Sequence, residues 1–141
     1  HRNTGRASGC PLADQLLARI AADENLHMVF YRNLMAAALD IAPDDAMVAI
    51  RDEVINFAMP GVGMADFAKN ALTIAKAGIY DLRIHHDDVL VPVLRFWNIF
   101  ERNDFGPIGE RAREELVGFL GLLEERARFY EEKRKLAAVG G

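Results

Sequence analysis

Glu24 and His27 are the residues whose types and spacing point most directly to chemistry. They continue a series of helical period, Ala13, Leu17, Ile20, Glu24, His27, Tyr31 and Leu34, so the periodicity predicts that both face inward. A carboxylate in a helical core is costly unless it is paired, hydrogen-bonded or bound to a metal, so an inward Glu24 needs a partner. Glu-x-x-His puts both side chains on one helix face, able to grip one metal ion. It is also the unit from which di-iron carboxylate sites in helical bundles are assembled. Asp23, four residues before His27, is placed to orient the imidazole ring from behind. The plainer alternative makes His27 a satisfied core histidine and sets Glu24 in a buried ion pair with an arginine such as Arg19 or Arg95.

The elements that must hold these residues are helices, because no stretch alternates apolar and polar residues with β-branched enrichment over more than a few positions. Apolar spacing predicts a long first helix from near Pro11 to near Asp40. A second opens at Pro43 with Asp44 and Asp45, acids suited to the positive end of the helix dipole. It runs to a stop at Met59, Pro60 and Gly61. A third spans about Asp66 to Lys76, with Gly78 as its C-terminal cap. A fourth follows Asp81 and contains Leu90, Leu94, Trp97, Ile99 and Phe100, with Pro92 in its first turn or kinking it. After a polar loop from Asn103 to Gly109, a fifth runs from about Glu110 to Ala138. Its apolar stripe is Leu116, Phe119, Leu120, Leu123, Ala127 and Tyr130.

The chain has 141 residues, 51% hydrophobic and 27% charged, which is the composition of a single globular domain. A net charge of −4 gives none of the basic excess that generic nucleic-acid binding needs. The longest apolar run, Val89 to Phe100, is broken by Arg95 and Asn98 and falls short of the roughly 18 to 20 residues of a transmembrane span. One cysteine, Cys10, closes no internal disulfide and points to a reducing compartment, the cytoplasm. Residue 1 is a histidine, which suits a chain that begins within a longer gene product.

Two other clusters have plain readings. His85, His86, Asp87 and Asp88 look metal-like, but consecutive helical side chains diverge by about 100°, so the segment reads as a helix start. The basic residues Arg126, Arg128, Lys133, Arg134 and Lys135 are interleaved with Glu124, Glu125, Glu131 and Glu132, the pattern of a solvated helix face.

Further segments carry a family resemblance. The chain opens His1-Arg-Asn-Thr4, continues with Ala22-Asp-Glu-x-x-His27, and later shows Phe57-Ala-Met-Pro60, Gly78-Ile-Tyr80 and Arg95-Phe-Trp97. In this order they resemble the C-terminal half of the soluble acyl-acyl carrier protein desaturases, particularly the actinobacterial type, over about the first hundred residues. The resemblance implies an all-α, ferritin-like di-iron helical bundle, of which residues 1–141 are the C-terminal portion of one domain. It implies iron held by Glu24 and His27, with Asp23 in hydrogen-bonded support and Phe67 near the substrate tunnel. The implied reaction is O2-dependent insertion of a cis double bond into an acyl chain carried on acyl carrier protein, with a ferredoxin-type electron donor and a homodimeric enzyme. The family's site takes two Glu-x-x-His units and two further glutamates, and this chain has one Glu-x-x-His. The expectation is therefore a portion that alone neither holds two irons nor turns over substrate. Two other readings stay open: a non-catalytic helical module derived from such a bundle, and another ferritin-like di-iron protein such as a hydroxylase or a radical generator.

Overall fold

The computed structural model describes residues 1–139, with side chains through Leu136, and among them every regular element is helical. In chain order these are α1 (Arg2–Ala7), α2 (Pro11–Ile41), α3 (Pro43–Ile55), α4 (Phe67–Lys76), α5 (Leu82–Ile84), a π-helical segment (His85–Leu90), α6 (Val91–Phe96) and α7 (Pro107–Val139). They fall into two compact units, one built from His1–Ala38 and Ala58–Asp81, the other from Leu39–Phe57 and the described residues from Leu82 onward. Among the described residues no helix is long and apolar enough to cross a membrane.

In the first unit α2 dominates. Pro11 starts it where a missing N–H leaves nothing unpaired, and the N–H of Asp14 makes the first turn's bond to the Cys10 carbonyl at 2.9 Å. Ahead of it lies α1, a short helix that the sequence pattern did not predict. Gly5 is buried there because α2 passes so close: a Cβ at that position would meet the Asp14 Cα at 3.1 Å and the Leu17 Cβ at 3.2 Å. The third predicted helix appears as α4. It closes with Gly78 at φ +66°, Gly78 N–H bonding to Ala75 C=O and Ile79 N–H to Ile74 C=O, the paired bonds of a Schellman cap.

The second unit is organised by α3 against α7. Met47 and Ile50 from α3 and Ala112, Leu116, Leu120, Leu123 and Ala127 from α7 are buried, joined by Leu39, Leu94, Ile99 and Phe105. Each fully buried aliphatic side chain contributes roughly 1.5–3 kcal/mol relative to exposure. The start of α7 is tied to the start of α3 by Asp44, whose Oδ1 accepts the Gly106 N–H at 2.7 Å. The corner is tight: a Cβ on Gly109 would lie 2.5 Å from the same oxygen, so a larger residue there would push the Asp44 carboxylate off the Gly106 N–H. Arg102 donates to Asp104, to the Asp40 carboxylate at 3.1 Å and to the Leu39 carbonyl at 3.3 Å.

Three boundaries differ from expectation. The second predicted helix ends at Ile55, not Met59, with Asn56 as its C-cap. The fourth stops at Phe96 because Asn98 takes φ +54° and caps it, Ile99 N–H bonding to Leu94 C=O at 3.1 Å. The segment His85–Leu90 does not start a helix but lies inside one, wound as a π-helix whose Val91 N–H bonds to the carbonyl of His86. Pro92 explains the widening: it has no N–H to donate, and its ring would collide with the carbonyl one α-turn back, so the preceding turn opens.

Candidate metal centre

Glu24 and His27 sit side by side on the middle of α2, His27 Nδ1 lying 3.2 Å from Glu24 Oε2. Their i, i+3 spacing brings this about, since one helical turn carries both side chains to the same face. Asp23 turns the other way and faces Arg19, Oδ1 to Nε 3.5 Å. Arg19 therefore partners Asp23, while Glu24 has the histidine.

The predicted inward orientation is not what this chain shows. The Glu24 side chain is 57% exposed and that of His27 68% exposed. The reason is visible along α2. Ala13, Leu17 and Ile20 at the start of the same stripe are half-buried, but residues 22–28 are all exposed, as are Tyr31 and Leu34 further on. The stripe is continuous, and among the described residues nothing covers its middle. The buried ion pair of Glu24 with Arg19 or Arg95 likewise does not form, because neither acid nor base is buried.

The donor set suits iron in kind: an oxygen anion and an imidazole nitrogen, adjacent and reachable, of the types that hold iron in both common oxidation states. In number it is incomplete, since among the described residues no group of three His, Cys, Asp or Glu is placed to hold a metal ion. Glu24 and His27 can therefore supply two donors of a larger set. The His85–Asp88 cluster is excluded by the same finding. Its members have separate engagements: His85 is buried and stacked on Phe57 at 4.8 Å between ring centroids, and His86 Nδ1 meets Asp87 Oδ1 at 2.5 Å.

The residues that position the start of α2 escape pattern reading. The Arg2 guanidinium grips the Asp14 carboxylate through both nitrogens, which holds the Asp14 carboxyl below its usual range and raises Arg2. Asn3 Nδ2 donates to the Ile79 carbonyl at 3.1 Å, so the His-Arg-Asn-Thr and Gly-Ile-Tyr segments, far apart in sequence, meet. No periodicity signals either contact; only the co-occurrence of the two segments does. Phe67, the first residue of α4, is half-buried beside the turn at Gly61, where an added Cβ would lie 3.9 Å from its ring. It sits on a different element from the Glu24–His27 pair.

Comparison with known proteins adds the context that the helices alone lack. The chain is 51% identical over 117 residues to DesA1 of Mycobacterium tuberculosis, a protein named as a candidate acyl-[acyl-carrier-protein] desaturase; the match covers 83% of this chain and 35% of that one. It is 30% identical to palmitoyl-[acyl-carrier-protein] 4-desaturase 2 of Ophrys sphegodes, over 99% of this chain and 40% of the relative. It is 29% identical to the stearoyl-[acyl-carrier-protein] 9-desaturase of Solanum tuberosum, over 90% of this chain and 35% of the relative. The chain thus spans little more than a third of the length of these curated relatives. No solved structure gives a significant match. The family model described as fatty acid desaturase matches residues 1–139, the whole described chain, and on that match the protein belongs to the fatty acid desaturase family, with its all-α, ferritin-like fold.

Proposed function

We propose that this chain is the C-terminal portion of an acyl-[acyl-carrier-protein] desaturase, and that Glu24 and His27 are its share of a di-iron centre. The observation that carries the reading is the Glu24–His27 pair itself, donors in contact on one face of a long helix, in a chain whose relatives are named as desaturases. The carboxylate of Glu24 would bind through one or both oxygens and His27 through a ring nitrogen, each giving up the contact it now makes with the other. Asp23 would turn from Arg19 to hold the outer nitrogen of the imidazole. Iron bound there supplies the O2 and one-electron chemistry that removal of hydrogen from an unactivated methylene requires. The exposed apolar side chains that flank the pair on α2, among them Leu26, Phe30 and Leu34, would exclude water from that chemistry once covered. Phe67 is proposed to line the acyl tunnel.

In this reading the acyl chain arrives on acyl carrier protein, electrons come from a ferredoxin-type donor, and the enzyme is a homodimer working in the cytoplasm. The test is made on the complete natural gene product. Iron is expected at about two per chain, with an unsaturated acyl-carrier-protein product detected by mass spectrometry. Glu24→Ala or His27→Ala is expected to abolish both. Asp23→Asn should lower activity or iron affinity by about 10- to 100-fold while leaving the fold intact. Full iron occupancy in the Glu24→Ala and His27→Ala variants would overturn the assignment.

A further inference from the structure

α7 carries a second apolar ridge on the side turned away from its packed face. Leu122, Phe129 and Leu136 are 59%, 51% and 74% exposed. Spaced by seven, they advance about 20° short of two full turns at each step and so form one slowly drifting line. Glu125 and Glu132 follow that line about 50° to one side, and Arg126 and Lys133 follow it about 50° to the other. All four are exposed. Their recorded contact on the ridge is that of the Lys133 ammonium, 4.6 Å from the centre of the Phe129 ring.

An apolar line with an acidic rail on one edge and a basic rail on the other is complementary to a copy of itself in one orientation. When two such helices run parallel about a two-fold axis, each acidic rail faces the partner's basic rail at the same height, Glu125 beside Arg126 and Glu132 beside Lys133, twice over. Running antiparallel, acid meets acid and base meets base. A uniformly acidic or basic partner would match one rail and be repelled by the other, and the acidic rail likewise disfavours an anionic lipid surface. We infer that the Leu122–Phe129–Leu136 ridge of α7 is a parallel docking surface for a second copy of this chain. This rests on the homodimer of the proposed function and supplies its contact surface. Three large side chains fall short of a standard interface, so the charged stems beside them must also be covered and the contact is salt-sensitive.

The experiment is sedimentation equilibrium of the full chain, without metal, at low and high salt. The expected result is a dimer that weakens with salt. Glu125→Lys with Glu132→Lys makes both rails basic, and Arg126→Glu with Lys133→Glu makes both acidic. Each pair should raise the dimer dissociation constant by about tenfold or more, and mixing the two variants should restore pairing as a heterodimer. Circular dichroism confirms that both keep the wild-type helix content. In a Cys10→Ser background, Leu122→Cys should cross-link to itself, as the parallel arrangement allows and the antiparallel one, which sets residue 122 against residue 136, does not. A wild-type monomer would overturn both this surface and the homodimer. A dimer indifferent to both rail reversals would overturn the surface alone, and the metal assignment stands or falls independently of either.

Discussion

The two units of this molecule divide their labour unevenly. Every buried hydrophobic side chain among the described residues belongs to the unit built from α3, α6, α7 and the segments joining them, from Leu39 through Ala127. The unit that holds α2 as far as Ala38, and with it Glu24 and His27, contributes a buried glycine and half-buried aliphatics, and is fixed by polar contacts: Arg2 to Asp14 and Asn3 to Ile79. One unit therefore carries stability, while the other presents chemistry-bearing residues on an uncovered helix. The sites that matter for stability and those that matter for function should separate cleanly under mutation.

The largest effect expected is in the packed unit. Leu116→Ala removes a side chain with no exposure and should cost about 2–5 kcal/mol in urea denaturation followed by circular dichroism. Leu26→Ala, on the bare stretch of α2, should stay within about 0.5 kcal/mol. Comparable losses at the two positions would erase the division. Asp44→Ala comes next, at about 1 kcal/mol, because it strips the Gly106 N–H of its carboxylate at the head of α7, and Asp44→Asn should recover most of that.

A smaller, pH-dependent effect should appear in the same unit. Burial, and then the neighbouring His86, push His85 below its ordinary value near 6.5. The folded state thus binds its proton less readily than the unfolded chain. The stability this represents is present above pH 6.5 and is lost as pH falls below it toward the depressed folded value. Midpoints measured from pH 7.5 down to 5 should decline, and His85→Phe, which keeps an aromatic ring against Phe57, should flatten the decline; an unchanged slope would assign the loss to other groups. The smallest effect belongs to the candidate ligands. Glu24→Ala combined with His27→Ala should change the stability of the isolated chain by less than about 0.5 kcal/mol, measured by the same denaturation. A large loss would mean that the pair supports the fold.

Much of this was legible in the residues. The 3.6-residue spacing located α2, α3, α4 and α7, and Pro11, Pro43 and Gly78 marked ends that the structure keeps. The adjacency of Glu24 and His27 also follows from spacing alone. Their exposure does not, because periodicity says which residues share a face and is silent on what lies over it. A six-residue helix such as α1, with Gly5 in its middle, is too short to show a period. The end at Asn98 was hidden because asparagine took the left-handed position that glycine usually announces. Pro92 signalled a disturbance, but whether a helix answers a proline by bending, stopping or widening depends on its packing, and here it widens.

The bond from Asn3 to the Ile79 carbonyl has a kinetic side. Its partners lie 76 residues apart. Closing so long a loop for one hydrogen bond is unfavourable until the intervening helices have shortened the path, so the clasp belongs to the last steps of folding. Loss of that one bond would release α1, which carries Asn3, from the segment after α4, and leave the buried side chains of the α3–α7 core untouched.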